Sequence, residues 1–379
     1  MPLQAPSTAT LIKSAGRTGT SKVEKPPGAD HKMSSWSEEA MYAVAESRLG
    51  LAGRLCCRNH KFKWEPVASV DVDRAGAAMA DRRRSTGNRT VTPRSRQIDA
   101  QEPSFAYKIR ESQDVWRRAR ELKVPLPLQA VDHKLDGARF AASFGVRTPE
   151  ILCPPVPLAE LRPPSRTRFT LKPVHGTSAK GVLLLERMGS GFREILSDDF
   201  HSSWSSALAA AEAETGSRSR TFYIEELLLP DVCSGGFLDD FKFYSFYGKV
   251  GLILQKRRVT RRESLYRWLN RSWECVDTGR YVTRLAPNLP DPSSKAELVA
   301  VAELLSAAVP VPFLRIDLYS TPEGVVFGEF TPHPGGFNTF SKEWDIMLGH
   351  LYEEAAARLQ MDLVHRRFDL QAFWARLGR

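Results

Sequence analysis

The sequence predicts an α+β protein made of antiparallel hairpins with separate helices between them. Three stretches carry this. In Leu314 to Phe337, LRIDLYSTPEGVVFGEFTPHPGGF, Leu314–Tyr319 alternates apolar and polar residues and Val325–Phe330 is rich in Val and Phe, with Pro322-Glu323-Gly324 between them. Phe169 to Leu185 and Phe241 to Gln255 repeat the strand, turn, strand pattern. Between and after them lie helical stretches such as Ser202–Ala213, Pro292–Val309 and Trp344–Leu359.

A chain of 379 residues allows two or three domains and a sizeable core. With 42% hydrophobic and 26% charged residues, it has the composition of a globular protein. No apolar run is long enough to cross a bilayer. The N-terminus lacks the charged-then-apolar layout of a secretory signal, so the expected location is cytoplasmic. The five cysteines are scattered and form no CxxC pair, which argues against a disulfide framework or zinc site. The net charge of +10 raises a nucleic-acid reading. However, residues 1–100 hold 17 of the lysines and arginines against 10 acids, so most of the excess sits there. A specific nucleic-acid partner is not expected.

Residues 1–100 read as a basic, largely disordered arm, with one helix at Ser37–Leu55. The arm is either a tether to a membrane surface or polyanion, or a dispensable tail. Pro103–Lys123 is helical and is ended by Pro125 and Pro127. Asp132-His133-Lys134 opens a second helix that Gly145 stops. The Pro-rich stretch Pro154–Pro164 reads as a linker.

Phe169–Pro173 and Val182–Leu185 flank the loop His175-Gly176-Thr177-Ser178-Ala179-Lys180-Gly181. It leads into a strand rather than a helix and lacks GxxxxGK[ST], so it is no Walker loop. Its backbone N–H groups suit phosphates, with Lys172 and Lys180 adding charge; the alternative is an ordinary hairpin turn. Thr221–Leu229 is a buried strand carrying Glu225-Glu226. On the strand through Phe241 and Phe243, Lys242 lies on the opposite face from its aromatic neighbours, with Asp240 placed to orient it. Such a lysine is ordinarily solvated. Arg257, Arg258, Arg261, Arg262, Arg267 and Arg271 are interleaved with Tyr266, Trp268 and Trp273. This basic and aromatic cluster suits a phosphate or a polyanionic substrate as well as nucleic acid.

In the Leu314–Phe337 hairpin, a three-residue loop centred on Glu323 sets Tyr319 against Phe327, Asp317 against Glu329 and Arg315 against Thr331. Two carboxylates directly opposite each other repel. A hard divalent cation such as Mg²⁺ removes that cost. The hairpin therefore points to a Mg-nucleotide site, the alternative being a solvated face with incidental acids.

The pieces LKPVHGTSAKG, YIEELL, DFKFYSFYGKV and RIDLY followed by VVFGEFTPHPGG occur in an order that resembles the ATP-grasp superfamily. Within it the chain is similar to the TupA-like group linked to teichuronopeptide biosynthesis. The resemblance covers roughly residues 130–350. It implies an ATP-grasp fold, with a nucleotide cleft between two α+β subdomains that each contain an antiparallel sheet. Residues 101–165 would be a helical subdomain and linker, 166–230 the small subdomain and 231–379 the large one. The cofactors implied are ATP and Mg²⁺.

The resemblance also implies residue roles. Lys172 and Lys134 would contact phosphates, and His175, Gly176, Thr177, Ser178, Lys180 and Gly181 would close over them. Glu225, Glu226, Leu227 and Leu228 would pass the base and ribose. Asp317, Glu329 and Thr331 would hold the metal, while Arg315 and Lys242 would be catalytic. Thr331 stands where many relatives have asparagine, and Thr177-Ser178-Ala179 makes the loop poorer in glycine. The implied reaction joins a carboxylate to an amine through an acyl phosphate, in cell-surface polysaccharide or peptide-conjugate synthesis. The alternatives are a sugar or lipid kinase on the same fold, and a non-catalytic basic binding protein.

Overall fold

The computed structural model describes residues 102–378, apart from 177–178, 216–219, 235, 237 and 262, together with two short strands near the N-terminus. The chain divides into two units, Met1–Arg84 and Ser85–Arg379. In the first, Cys57–Arg58 pairs antiparallel with Lys61–Phe62. The expected helix at Ser37–Leu55 and the rest of the basic arm lie outside the described residues. Everything below concerns the second unit.

Helix α1, Phe105–Leu122, starts at Ser104, whose hydroxyl accepts from Tyr107 N as an N-cap. Pro127 does not merely end this helix. It opens α2, Pro127–Asp132, at a first-turn position where its missing N–H costs nothing. Helix α3, Lys134–Ala142, follows immediately, with His133 as the hinge between them.

Six strands then form one antiparallel sheet: β1 Ile151–Pro157, β2 Arg168–Pro173, β3 Leu183–Met188, β4 Gly191–Glu194, β5 Phe200–His201 and β6 Thr221–Glu226. Their order is β1-β6-β2-β3-β4-β5. The Pro-rich stretch expected as a linker is thus the edge strand β1, which pairs only with β6. Proline lacks the N–H that a second neighbour would need, and an edge tolerates this. Helix α4, Trp204–Thr215, covers one face through Ala207 and Ala211, against Phe169, Leu171, Leu183, Leu185, Phe222 and Ile224.

The second sheet comprises β7 Asp239–Ser245, β8 Val250–Arg258, β9 Ser264–Leu269, β10 Leu314–Thr321 and β11 Gly324–Thr331, in the order β9-β8-β7-β10-β11. Helix α5, Lys295–Ala308, buries Leu298, Val299 and Leu305 against the face formed by Phe241, Phe243, Ile316 and Leu318. Helices α6, Lys342–Val364, and α7, Leu370–Arg376, close the chain. No helix among the described residues is long and apolar enough to cross a membrane.

The arginine cluster is taken apart by β9, a strand the sequence reading did not identify. Arg257 on β8 chelates Asp239 at 2.7 Å through both Nε and Nη2. Arg267 donates to Gln255 at 2.8 Å and to Asp291 at 2.5 Å. Arg271 pairs with Glu303, and Arg261 with Glu194 and Glu214. Arg262 lies outside the described residues. These arginines tie strands and helices together instead of forming one basic surface.

Candidate nucleotide and metal site

The face of the five-stranded sheet opposite α5 carries Asp240, Lys242 and Tyr244 from β7, and Arg315, Asp317 and Tyr319 from β10. Alternation along each strand puts them there. The pairing register sets Asp317 beside Lys242 on one side and Glu329 on the other. Arg315 lies opposite Tyr244 and Thr331.

Asp317 opposes Glu329 as the hairpin reading predicts, but by a different route. The turn is Pro322-Glu323 alone, closed by Thr321 opposite Gly324, and Tyr319 faces Val326 rather than Phe327. A bulge at Gly328 then restores the register, so that Asp317 meets Glu329. A Cβ on Gly328 would lie 2.8 Å from Tyr319 Cε2 and 2.9 Å from Asp317 O. The bulge therefore needs glycine for space.

Asp317 is 2% exposed and carries most of the local electrostatics. Arg315 donates to its two oxygens at 2.6 and 2.7 Å, and Lys242 also pairs with it. Burial alone would raise the Asp317 carboxyl, but these two cations overcome it and hold the pKa below the ordinary value. Lys242 also pairs with Asp240 at 2.5 Å, and its ammonium ends above the usual lysine range despite burial. It is not the solvated lysine that an isolated polar position suggests. Thr331 Oγ1 accepts from Arg315 Nη2 at 2.7 Å and so helps place the guanidinium. Glu329 has looser surroundings: Arg315 and Thr331 both approach it at 3.5 Å, and its side chain is 42% exposed.

The six-stranded sheet presents Lys172 from β2 and Tyr223 and Glu225 from β6, in adjacent strands. Lys172 pairs with Glu225. Burial pulls the Lys172 ammonium down, Glu225 more than offsets this, and the pKa ends above the ordinary value. Tyr319 of the other sheet is among its charge neighbours, so the two sheets face each other here. Lys134, at the start of α3, reaches the same place and donates to Pro173 O at 3.3 Å. Its pKa is lowered by burial and by Lys172, partly countered by Glu329. Close packing of α3 on β11 fixes this position: a Cβ on Gly137 would come 2.7 Å from Val131 O and 3.1 Å from Phe330.

Other expected residues separate. Glu226 turns to the opposite face from Glu225, where Arg147 holds it at 2.9 and 3.1 Å. With Leu227, Leu228, Arg147, Arg168 and Glu186 it lines a cavity of about 580 Å³. His175 is exposed, with its ring 5.9 Å from that of His133, and Lys180 is exposed as well. The Gly181 amide is occupied, donating to Glu214 at 2.9 Å, and a Cβ there would strike Thr215 at 2.3 Å. Gly181 packs the loop onto α4 rather than offering its N–H. Thr177 and Ser178 lie outside the described residues.

The sequence reading missed Asp132, Tyr223 and Tyr319. Burial and Glu329 push the Asp132 carboxyl up to about 6, against the pull of Lys134. Burial pushes the Tyr223 phenol up to about 12. Tyr319 lies two residues from Asp317 on one strand, so strand alternation was a usable signal for it. Asp132 precedes a hinge between helices, and no periodicity marks it.

The metal assignment can be tested on the donor set. Asp317, Glu329 and Thr331 supply oxygen only, which suits a hard cation such as Mg²⁺. Glu329 is free enough to take one, and Asp240 Oδ1 nearby is buried with no partner. Among the described residues no group of three or more His, Cys, Asp or Glu is arranged to hold a metal, and both Asp317 oxygens accept from Arg315 or Lys242.

A family profile described as TupA-like ATPgrasp matches residues 120–353. No curated protein matches the sequence significantly. Among solved structures, the chain is similar to D-cycloserine synthetase DcsG at 18% identity, over 66% of this chain and 81% of that one, with a TM-score of 0.39. It is similar to D-alanine-D-alanine ligase from Helicobacter pylori at 14% identity, over 59% of this chain and 58% of that one, with a TM-score of 0.35. It is also similar to D-alanine–D-alanine ligase from Bacillus anthracis complexed with ATP at 11% identity, over 65% and 73%, with a TM-score of 0.38. The chain thus spans under two thirds of the Helicobacter pylori ligase. Since the family match covers well over half of the sequence, this chain belongs to the TupA-like ATP-grasp family and has the ATP-grasp fold.

Proposed function

We propose that the protein is an ATP- and Mg²⁺-dependent carboxylate–amine ligase. The observation that carries this reading is the convergence of Lys134, Lys172, Lys242 and Arg315 with Asp317 and Glu329 where the two sheets face each other. These four cations meet the carboxylates of Asp132, Glu225, Asp240, Asp317 and Glu329, and such a mixed charged cleft suits a polyphosphate accompanied by a divalent cation.

Lys172 and Lys134 come from different elements and are placed to bind phosphate oxygens. Burial and Lys172 lower the Lys134 pKa even though Glu329, Glu225 and Asp132 oppose this, so an arriving phosphate strengthens its protonated form. Asp317, Glu329 and Thr331 would hold Mg²⁺, which when bound neutralises phosphate charge. Arg315 and Lys242 are fixed on rigid strands and are placed to stabilise the phosphoryl group in flight. A substrate carboxylate oxygen attacks the γ-phosphorus, the bond to ADP breaks, and an acyl phosphate forms. An amine nitrogen then attacks the acyl carbon, phosphate leaves, and the amine loses a proton. The family's link to teichuronopeptide synthesis makes a carboxylated polymer or an amino acid the substrate class, in cell-surface conjugate synthesis.

Calorimetry with ATP and Mg²⁺, followed by ADP release with panels of carboxylates and amines, tests this. ADP release that requires both partners is expected. A phosphorylated product formed without an amine would make the protein a kinase, and absence of Mg-ATP binding would overturn both enzymatic readings.

A further inference from the structure

Three arginines are buried among the described residues: Arg257, Arg267 and Arg280, at 8%, 7% and 4% exposure. The first two each have a carboxylate, Asp239 and Asp291. Arg280 has no carboxylate within ion-pair distance among the described residues. Its contacts are neutral: Tyr244 Oη at 3.4 Å, Tyr281 Oη at 3.2 Å and Gly335 O at 3.1 Å. Its Nε is buried with no acceptor, and so is Nε1 of Trp268. The guanidinium lies 4.5 Å from the ring centre of Phe340, 5.0 Å from Tyr281 and 5.4 Å from Trp268.

Cation–π contacts offset only part of the cost of burying a charge. A guanidinium without a carboxylate, with an orphan N–H of its own and another on a ring it packs over, is an incomplete constellation. We infer that Arg280 and Trp268 Nε1, with Tyr244 and Tyr281, form the receptor for a carboxylate of the substrate. One cation among neutral donors matches the single charge of a carboxylate better than a dianion.

Location supports this. Tyr244, which accepts from Arg280, lies directly opposite Arg315 in the strand register, and Tyr281 is among the groups that feel the charge of Arg315. The same sheet face is thus charged around Asp317 and becomes aromatic towards Arg280. Tyr281 is 36% exposed, so the aromatic set around Arg280 reaches the surface there. The roof is the exposed Gly335-Gly336 pair, where a Cβ on Gly336 would lie 2.6 Å from Arg280 Nη2. The assignment of the ligand to a substrate rests on the ligase reading, whereas binding of a carboxylate does not.

The test is thermal unfolding of the full chain and of Arg280→Met, which keeps an apolar body without the charge. Sodium acetate and sodium succinate are titrated at ionic strength held constant with sodium chloride, and ADP is titrated separately. The expected result is a saturable rise of about 2–4 °C with carboxylate for the natural protein and none for R280M. ADP should stabilise both proteins equally. An equal carboxylate response in the two, or none in the natural protein, overturns the inference. If R280M does not fold, Arg280→Gln is read by the same criterion. Loss of the ADP response in both would count against the nucleotide site and leave the carboxylate result to decide on Arg280.

Discussion

Asp317 and Glu329 stand opposite each other across the β10–β11 hairpin, yet Asp317 is buried between two cations while Glu329 is half-exposed with loose contacts. The two carboxylates therefore have different physical duties. Asp317→Asn should destabilise the fold by about 3 kcal/mol, because Arg315 and Lys242 keep their buried charge and lose their shared partner. Glu329→Gln should change stability by under about 0.5 kcal/mol. Urea unfolding of the two variants checks this. Both should lose Mg-dependent ATP turnover, but only the Glu329 variant isolates the metal from the fold.

Gly328→Ala should cost about 1–3 kcal/mol, because the added methyl meets the Asp317 carbonyl and the Tyr319 ring. Relief of that clash would remove the bulge and shift Glu329 out of line with Asp317. The magnesium concentration for half-maximal turnover should rise together with the lost stability. A stability loss with unchanged magnesium dependence would separate the bulge from the metal site.

Asp231 predicts the acid limit of the fold. Burial would raise its carboxyl, but bonds from Ser320, the Cys233 amide and both the hydroxyl and amide of Ser293 bring it down to about 2. A depressed folded pKa contributes stability that is complete above the unfolded value near 4. That stability is lost as pH falls from about 4 towards about 2. The share at stake is about 2 kcal/mol. Asp231→Asn should remove this share at pH 7 and flatten the stability–pH curve between pH 4 and 2, measured by chemical denaturation.

Lys172→Met should weaken ATP binding at least about tenfold, since one direct phosphate cation is worth upwards of roughly 1.4 kcal/mol. It also leaves Glu225 buried without its partner. A paired Lys172→Met, Glu225→Gln variant should regain stability while ATP binding stays weak, which calorimetry and unfolding separate.

The hairpins were legible because strand alternation and turn residues are local signals. Asp317 opposite Glu329 came out of the register even though the turn was one residue shorter than expected, since the Gly328 bulge made up the difference. Lys242 was assigned to the correct face, but its environment was not legible: Asp317 is 75 residues away in sequence. The arginine cluster misled because linear density says nothing about faces. Once Ser264–Leu269 is a strand, Arg257 and Arg267 turn into a buried network with Asp239, Gln255 and Asp291. Glu225 and Glu226 were grouped by adjacency, although neighbours on a strand point to opposite faces.

Glu214 joins three elements through one carboxylate. Its two oxygens take the Gly181 amide at the end of the hairpin loop and Arg261 from the β8–β9 connection, while its backbone belongs to α4. Loosening either contact weakens the anchoring of the other, so local opening at Gly181 is coupled energetically to the grip between the two sheets. Amide hydrogen exchange at Gly181 thereby becomes a reporter of that grip. Arg261→Ala, distant in sequence and leaving the loop's own residues unchanged, should quicken exchange there by several-fold.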